Sequence, residues 1–291
     1  MERKQFLRKL LLGSGVLAVS STAVGALRYV KTKDEELTGP VGFNHLPTQN
    51  PHIMTNTVLH EASSRGHANH GWLDSYHSFS FANYYDPARM NFGVLRVLND
   101  DTVDAGQGFG THPHDNMEII SIPLEGALEH KDSMGTRAVI KRDDIQVMSA
   151  GTGVRHSEYN ASKTEPVKFL QIWVMPNKKN ATPRYDQITL NDADRDNKFD
   201  QILSPSPDDA GVWIHQDAWF QLGRFDKDKE ANYKVQRSGN GVYAFVLSGE
   251  VTVNGHKLNR RDGLGVRDVE SLNIKADSDN VELLLMDVPM K

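Results

Sequence analysis

Two short stretches of the chain carry metal-ligand residue types at strand spacing. In GTHPHDNME (110–118) His112 and His114 stand one residue apart, with Glu118 four positions on. In VRHSEYN (154–160) His156 and Glu158 are again two apart, and a glycine-rich turn precedes each stretch. Side chains alternate faces along a strand, so each pair points to one side. Glu118 shares that parity if the strand runs on without a bulge, so spacing admits either glutamate as the carboxylate of the site. Two neighbouring strands bearing such pairs converge on one pocket, where imidazole and carboxylate suit a divalent ion. Fe, Mn, Ni, Cu, Zn and Co are all served by such a donor set.

Composition narrows the chemistry. Cysteine is absent, which removes disulfides, thiolate metal sites and cysteine nucleophiles together. The net charge is −5 with no long basic run, so nucleic acid is not an expected partner. With 38% hydrophobic residues over 291 positions, the chain can bury a core of one large or two modest domains.

The elements around the two stretches read as strands. FGVLRVLN (92–99), MEIISIPLEG (117–126), RAVIKRDDIQVMS (137–149) and VKFLQIWVMP (167–176) are short, β-prone and bounded by Gly, Asn, Asp and Pro. This pattern predicts an antiparallel sandwich or barrel. NDADRDNKFDQILSPSPDDAG (191–211) is turn-rich and reads as a separator. Beyond it GVYAFVLSGEVTVNGHKL (241–258) carries a Gly turn and a hairpin signal. The halves are alike in kind, and the expected fold is all-β, two β-barrels in tandem.

The start of the chain has another texture. Residues 1–30 carry Arg3, Lys4, Arg8 and Lys9, then no charge from Leu10 to Leu27, the plan of an export signal. RKQFLRK is similar to a twin-arginine signal, with Lys4 in place of the second arginine. The expectation is export to the periplasm with cleavage, or a membrane anchor if the segment is retained. Residues 31–54, polar and proline-containing, read as a linker. A first barrel is expected over 55–185 and a second over 190–291.

The motifs carry a resemblance. Gly106, His112-Pro113-His114 and Glu118 are spaced as in the first cupin motif, with the closing Gly126 one position late. Gly153, His156 and Asn160 follow the second, with Gly151 where proline is usual. RGHANHGWLDSYHSFSFANYYDP (65–87), GFGTHPHDNMEI and QVMSAGTGVRHSEYN resemble the pirin family, nearest to its bacterial quercetinase-type members. The resemblance implies a bicupin of two antiparallel jelly-roll barrels, whose N-terminal barrel holds one divalent metal, foremost Fe(II). It implies His112, His114, His156 and Glu158 as ligands, with Glu158 also the proton acceptor and Glu118 in a secondary place. The implied activity is quercetin 2,3-dioxygenase, cleaving a flavonol-like phenol with O2. The alternative is a non-catalytic, iron-binding, redox-responsive interaction protein, as eukaryotic pirins are; a metal-binding protein without turnover is a third.

The remaining residues of note have plainer expected roles. The aromatics of 65–87 pack under a loop, His130 sits on a strand surface, and Trp173 fills core. Gln171 lines the pocket or pairs with backbone. RFDKDKE (224–230) is a solvated loop. His215 and His256 have no second histidine or glutamate two residues away, so the C-terminal barrel is expected to lack metal and to serve structure.

Overall fold

The computed structural model describes residues 56–291. The expected export segment and the linker lie outside the described residues. Within them the chain forms four sheets, arranged as two barrels that each combine a four-stranded and a seven-stranded sheet.

In the first barrel the smaller sheet runs β5 (Gly108–His114), β10 (Val154–Asn160), β7 (Ala127–Asp132) and β8 (Arg137–Lys141). Its larger sheet runs β12 (Arg184–Thr189), β9 (Asp144–Ser149), β6 (Glu118–Glu125), β11 (Val167–Val174), β4 (Leu95–Val103), β3 (Leu73–His77) and β2 (Gly66–Asn69). The second barrel repeats the plan. Its smaller sheet is β16 (Glu230–Lys234), β21 (Ser271–Ala276), β18 (Val251–Val253) and β19 (His256–Leu258). Its larger one is β1 (Asn56–His60), β20 (Gly263–Arg267), β17 (Asn240–Ser248), β22 (Val281–Pro289), β15 (Trp219–Phe225), β13 (Lys198–Ser204) and β14 (Val212–Trp213). Every ladder is antiparallel except the two-residue pairing of β13 with β14.

The two ends of the described chain cross over. β1 precedes the first barrel in sequence yet pairs with β20 of the second, from Asn56 opposite Arg267 to His60 opposite Gly263. Conversely, the carbonyl of Pro289 at the end of β22 accepts from Val94 N–H beside β4. Gly93 permits that approach, because a Cβ there would lie 2.1 Å from the Pro289 oxygen.

The central strands of the seven-stranded sheets bury both faces, which is why MEIISIPL and GVYAFVL read as nearly continuous apolar runs. Ile120, Ile122, Leu170, Ile172 and Leu98 of the first barrel join Phe220, Tyr243, Phe245, Leu284 and Met286 of the second in one core cluster. The opposite faces, turned into the lumens, differ sharply. In the second barrel the lumen is packed with Val242, Ala244, Val246, Leu264, Leu283 and Leu285, among others. In the first, strand register aligns His77, Asn99, Gln171, Ser121 and Gln146 across five neighbouring strands, all of them buried. Polar groups in such a place need partners or a ligand.

The stretch read as a separator departs from expectation. It holds a short helix, α1 (Asp192–Arg195), and the first long strand of the second half, β13. Apolar Ile202 and Leu203 are fully buried there, and flanking Asp, Asn and Pro residues masked their pattern. Arg195 is 1% exposed and lies against Asp143, Asp192 and Glu282, carboxylates from both halves of the chain. Of 224–230, residues 226–230 are exposed, whereas Phe225 belongs to the second barrel's core. No helix among the described residues is long and apolar enough to cross a membrane.

Candidate metal centre

β5 and β10 lie side by side, with His156 directly opposite His112 and Val154 opposite His114. Register shifts before Glu158, which pairs with Phe109, so the extra residue of the bulge falls on β5 at Gly110–Thr111. The strands approach closely here. A Cβ on Gly108 would lie 2.3 Å from the Glu158 carbonyl oxygen, which explains the glycine. The bulge also presents the Gly110 carbonyl to His112 Nδ1 at 2.8 Å. That bond fixes the proton on Nδ1 and turns Nε2 toward the lumen as a lone-pair donor.

Three imidazoles converge as a result. Ring centroids of His112 and His156 are 4.4 Å apart, and His114 is 4.9 Å from each. One ligand atom from each of the three lies within 4.8 Å of the others. Burial pushes His114 down to about 3, with His112 adding to the effect. Burial, followed by the three neighbouring histidines, pushes His156 well below its ordinary value. Neutral imidazole is the ligating form. Both ring nitrogens of His156 are buried with no hydrogen-bond partner, an arrangement that costs free energy unless something else occupies the lone pair. A divalent ion fits that requirement.

A second group of potential ligands shares His156: His130, His156 and Glu158. Glu158 is 2% exposed. It accepts from Gln171 Nε2 at 2.8 Å and Ser121 Oγ at 3.1 Å, so the larger sheet holds a carboxylate borne by the smaller one. His130 is fully buried, contrary to its expected place on a strand surface. It stands opposite Glu158 in the ladder, bonds to Asp132 at 3.1 Å, and lies 5.4 Å from the His156 ring. The isolated residue in EHKDSMG carried no signal of this; only pairing with β10 reveals it.

Glu118 belongs to neither group. The chain turns at Asn116, whose φ is 45°, and passes from the smaller sheet to the larger before reaching it. Strand parity with His112 and His114 therefore has no bearing on its direction. Its carboxyl accepts from Ser149 Oγ at 2.6 Å. Burial pushes it up to about 7, while the Ser149 bond, the Arg184 charge and a backbone hydrogen bond from His215 work in the opposite direction.

Beside the histidines opens a pocket with two kinds of wall. Leu73, Phe81, Phe109 and Trp173 are its apolar side, and Ser75, Asn99, Asp101, Glu158 and Gln171 its polar side. Trp173 packs on the buried cluster of Ile119, Met148, Ala150 and Val154, as expected, and also lines the pocket, edge-on to His114 at 5.0 Å and to Phe81 at 5.5 Å. From the aromatic segment 65–87, Phe81 reaches the pocket, whereas Phe79 packs between the barrels against His60 and Tyr243. His67 stacks on Tyr76 and bonds to Asp74. Among the described residues, the second barrel holds no comparable group of three ligand side chains.

A family model described as Pirin matches residues 58–174. A second, described as the quercetinase C-terminal cupin domain, matches residues 201–288. A quercetin 2,3-dioxygenase of Escherichia coli is 48% identical over 231 residues, which is 79% of this chain and 98% of that protein. A pirin-like protein of Caulobacter vibrioides is 40% identical over 223 residues, 76% of this chain and 95% of its own length. The crystal structure of the bacterial pirin YhhW from Escherichia coli in complex with nickel(II) matches with a TM-score of 0.76. It is 46% identical and covers 80% of this chain and 99% of that one.

Proposed function

The chain belongs to the pirin family, and on that premise we propose that it is a metal-dependent dioxygenase that opens the central ring of flavonol-like phenols with O2. One observation carries the proposal. Three imidazoles, His112 and His156 buried and His114 half-buried, converge beside Glu158, a carboxylate held by Gln171 and Ser121, on a pocket walled by aromatic side chains. His112, His114, His156 and Glu158 are the proposed ligands, with Fe(II) the proposed metal. Bound there, the ion would supply Lewis acidity toward a phenolic oxygen and, as iron, redox access to dioxygen.

The chain's own groups do the rest. Trp173, Phe81 and Phe109 take a planar aromatic ring between them and keep water from its face. Glu158 is placed to receive the proton of the flavonol hydroxyl on its carboxylate. The Gln171 amide holds that carboxylate in place before and after transfer. Overall, both atoms of O2 enter the ring-opened ester and one ring carbon leaves as carbon monoxide, with no external reductant. Export to the periplasm, proposed from the N-terminal sequence alone, would place this chemistry outside the cytoplasm.

The test is to load the protein with iron anaerobically, then add quercetin and admit oxygen. The expected result is loss of flavonol absorbance with oxygen consumed and carbon monoxide released in equal amounts, none of it in His112→Ala. Iron retained at one per chain with no oxygen uptake for any flavonol would defeat the enzyme reading in favour of the iron-binding interaction protein.

A further inference from the structure

The pocket has a second polar end that the proposed reaction leaves unused. Asp101 lies on β4, two residues beyond Asn99, whose cross-strand neighbour is Gln171. At ~3.4 Å per residue, that step sets Asp101 about 7 Å along the strand from the row that holds Glu158. Ser75, directly opposite on β3, donates to Asp101 Oδ1, and Ser75 Oγ is in turn 2.8 Å from His77 Nε2. His77, Ser75 and Asp101 are all buried. Burial pushes His77 down to about 4, so it stays neutral and its Nε2–H donates to the serine. The chain of bonds thus ends on one carboxyl oxygen of Asp101. Among the described residues no group bonds to the other oxygen, Oδ2, and the residue lines the pocket.

The surroundings at this end are apolar. Leu73 and Phe109, both pocket-lining, pack with Val103 and Phe169 in one cluster. A polar atom of a bound molecule arriving here would be stranded unless Asp101 met it. Burial pushes the Asp101 carboxyl up to about 8, the Ser75 bond opposes this, and the charges of Asp100 and Glu158 reinforce it. In its protonated form the carboxyl is a donor as well as an acceptor.

We propose that Asp101, oriented by Ser75 and His77, is a substrate-recognition residue that bonds a phenolic hydroxyl remote from the reacting one. A flavonol has the required form: a rigid, flat body with hydroxyls at both ends. This inference rests on the flavonol reading above, and it adds what selects among flavonols.

The test measures binding rather than turnover, by quenching of tryptophan fluorescence under anaerobic conditions in the metal-loaded full chain. The ligands are quercetin and a set of flavonols each lacking one hydroxyl away from the reacting position. Asp101→Leu is expected to weaken quercetin binding about tenfold, the worth of one hydrogen bond, and to leave unchanged the affinity for one member of the set. Asp101→Asn, which keeps shape and hydrogen-bonding capacity, is expected to restore most of the loss and serves if the leucine variant fails to fold. Ser75→Ala is expected to show a smaller loss confined to the same ligands. Equal weakening for every flavonol, or none for any, would overturn the role of Asp101 while leaving the dioxygenase reading intact. Wild-type protein that binds no flavonol would overturn both.

Discussion

Gln171 on β11 donates to Glu158 on β10 across 2.8 Å, and this bond ties the larger sheet of the first barrel to the smaller one at the proposed metal. Ser121 Oγ lies 3.1 Å from the Glu158 carboxylate and 3.2 Å from the oxygen of the same glutamine carboxamide, so its single proton is shared between the two acceptors. A triangle of three polar side chains from three strands therefore fixes one carboxylate.

Removing the corner of that triangle should loosen the carboxylate without unfolding the barrel. Gln171→Leu is expected to lower turnover, metal affinity or both by roughly 10–100-fold, the usual cost of losing a group that orients a ligand. Steady-state oxygen uptake and metal titration of variant and wild type, with circular dichroism as the folding control, would decide. Unchanged values for both would mean that Glu158 needs no positioning.

The two glutamates should separate cleanly in metal content. His156→Ala and Glu158→Gln are expected to purify with little metal, and Glu118→Gln with the wild-type amount. Elemental analysis after identical anaerobic purification checks this. Loss of metal from the Glu118 variant alone would return the carboxylate role to that residue.

Glu118 should instead appear in the pH dependence of stability. Its carboxyl is raised from 4.5 to about 7 in the fold, so the folded state binds its proton more tightly than the unfolded chain does. That contribution is intact below about 4.5 and is lost as pH rises through about 7. Buried neutral histidines such as His60, lowered to about 4, act in the opposite sense: their contribution is present above about 6.5 and fades as pH falls toward 4. Comparing Glu118→Gln with wild type isolates the first effect. The variant should gain stability relative to wild type between pH 5 and pH 8 in urea titrations of metal-free protein. A difference independent of pH would contradict the assignment.

Arg195 should matter to the junction between the halves. It is 1% exposed, with Asp143 31% and Glu282 14% exposed around it. Arg195→Met would leave these carboxylates without their cation. The expected loss is roughly 2 kcal/mol, below the range for fully buried pairs because water screens the partners. Chemical denaturation at pH 7 measures it, and a neutral outcome would show that the methionine side chain packs as well as the ion cluster.

The N-terminal reading has its own test. If residues 1–30 direct export, the mature protein recovered from the periplasm should begin after the small residues near Ala26, and replacing Arg3 and Lys4 with glutamine should retain it inside. N-terminal sequencing of fractionated cells reads both outcomes, and an intact N-terminus in the cytoplasm would end the proposal.

Much of the site was legible because its signal is local. His112-x-His114 and His156-x-Glu158 are two-residue repeats on strands, and alternation of faces holds for any strand whatever its neighbours. The β-class and the duplicated plan followed from runs of similar local kind. Residues whose role depends on what lies opposite were not legible. His130 carries no motif and gains its place only by facing Glu158 across a ladder. Glu118 carried the right parity, yet the turn at Asn116 moved it into another sheet. Trp173 packs on core as its sequence suggests, but its pocket side was not legible, because an aromatic among apolar residues reads the same whether or not it also meets a cavity.

By itself, then, the sequence determined the all-β class and the pairing of ligand residue types on two strands. Periodicity and residue chemistry act over a few positions, and they suffice for that. Only the tertiary structure decided which carboxylate meets the histidines, and that β1 is lent to the second barrel. It also decided that one lumen is lined by a polar row from His77 to Gln146 while the other is closed by aliphatic side chains. Those outcomes depend on register between strands far apart in the chain, where a single bulge or turn reassigns every side chain beyond it.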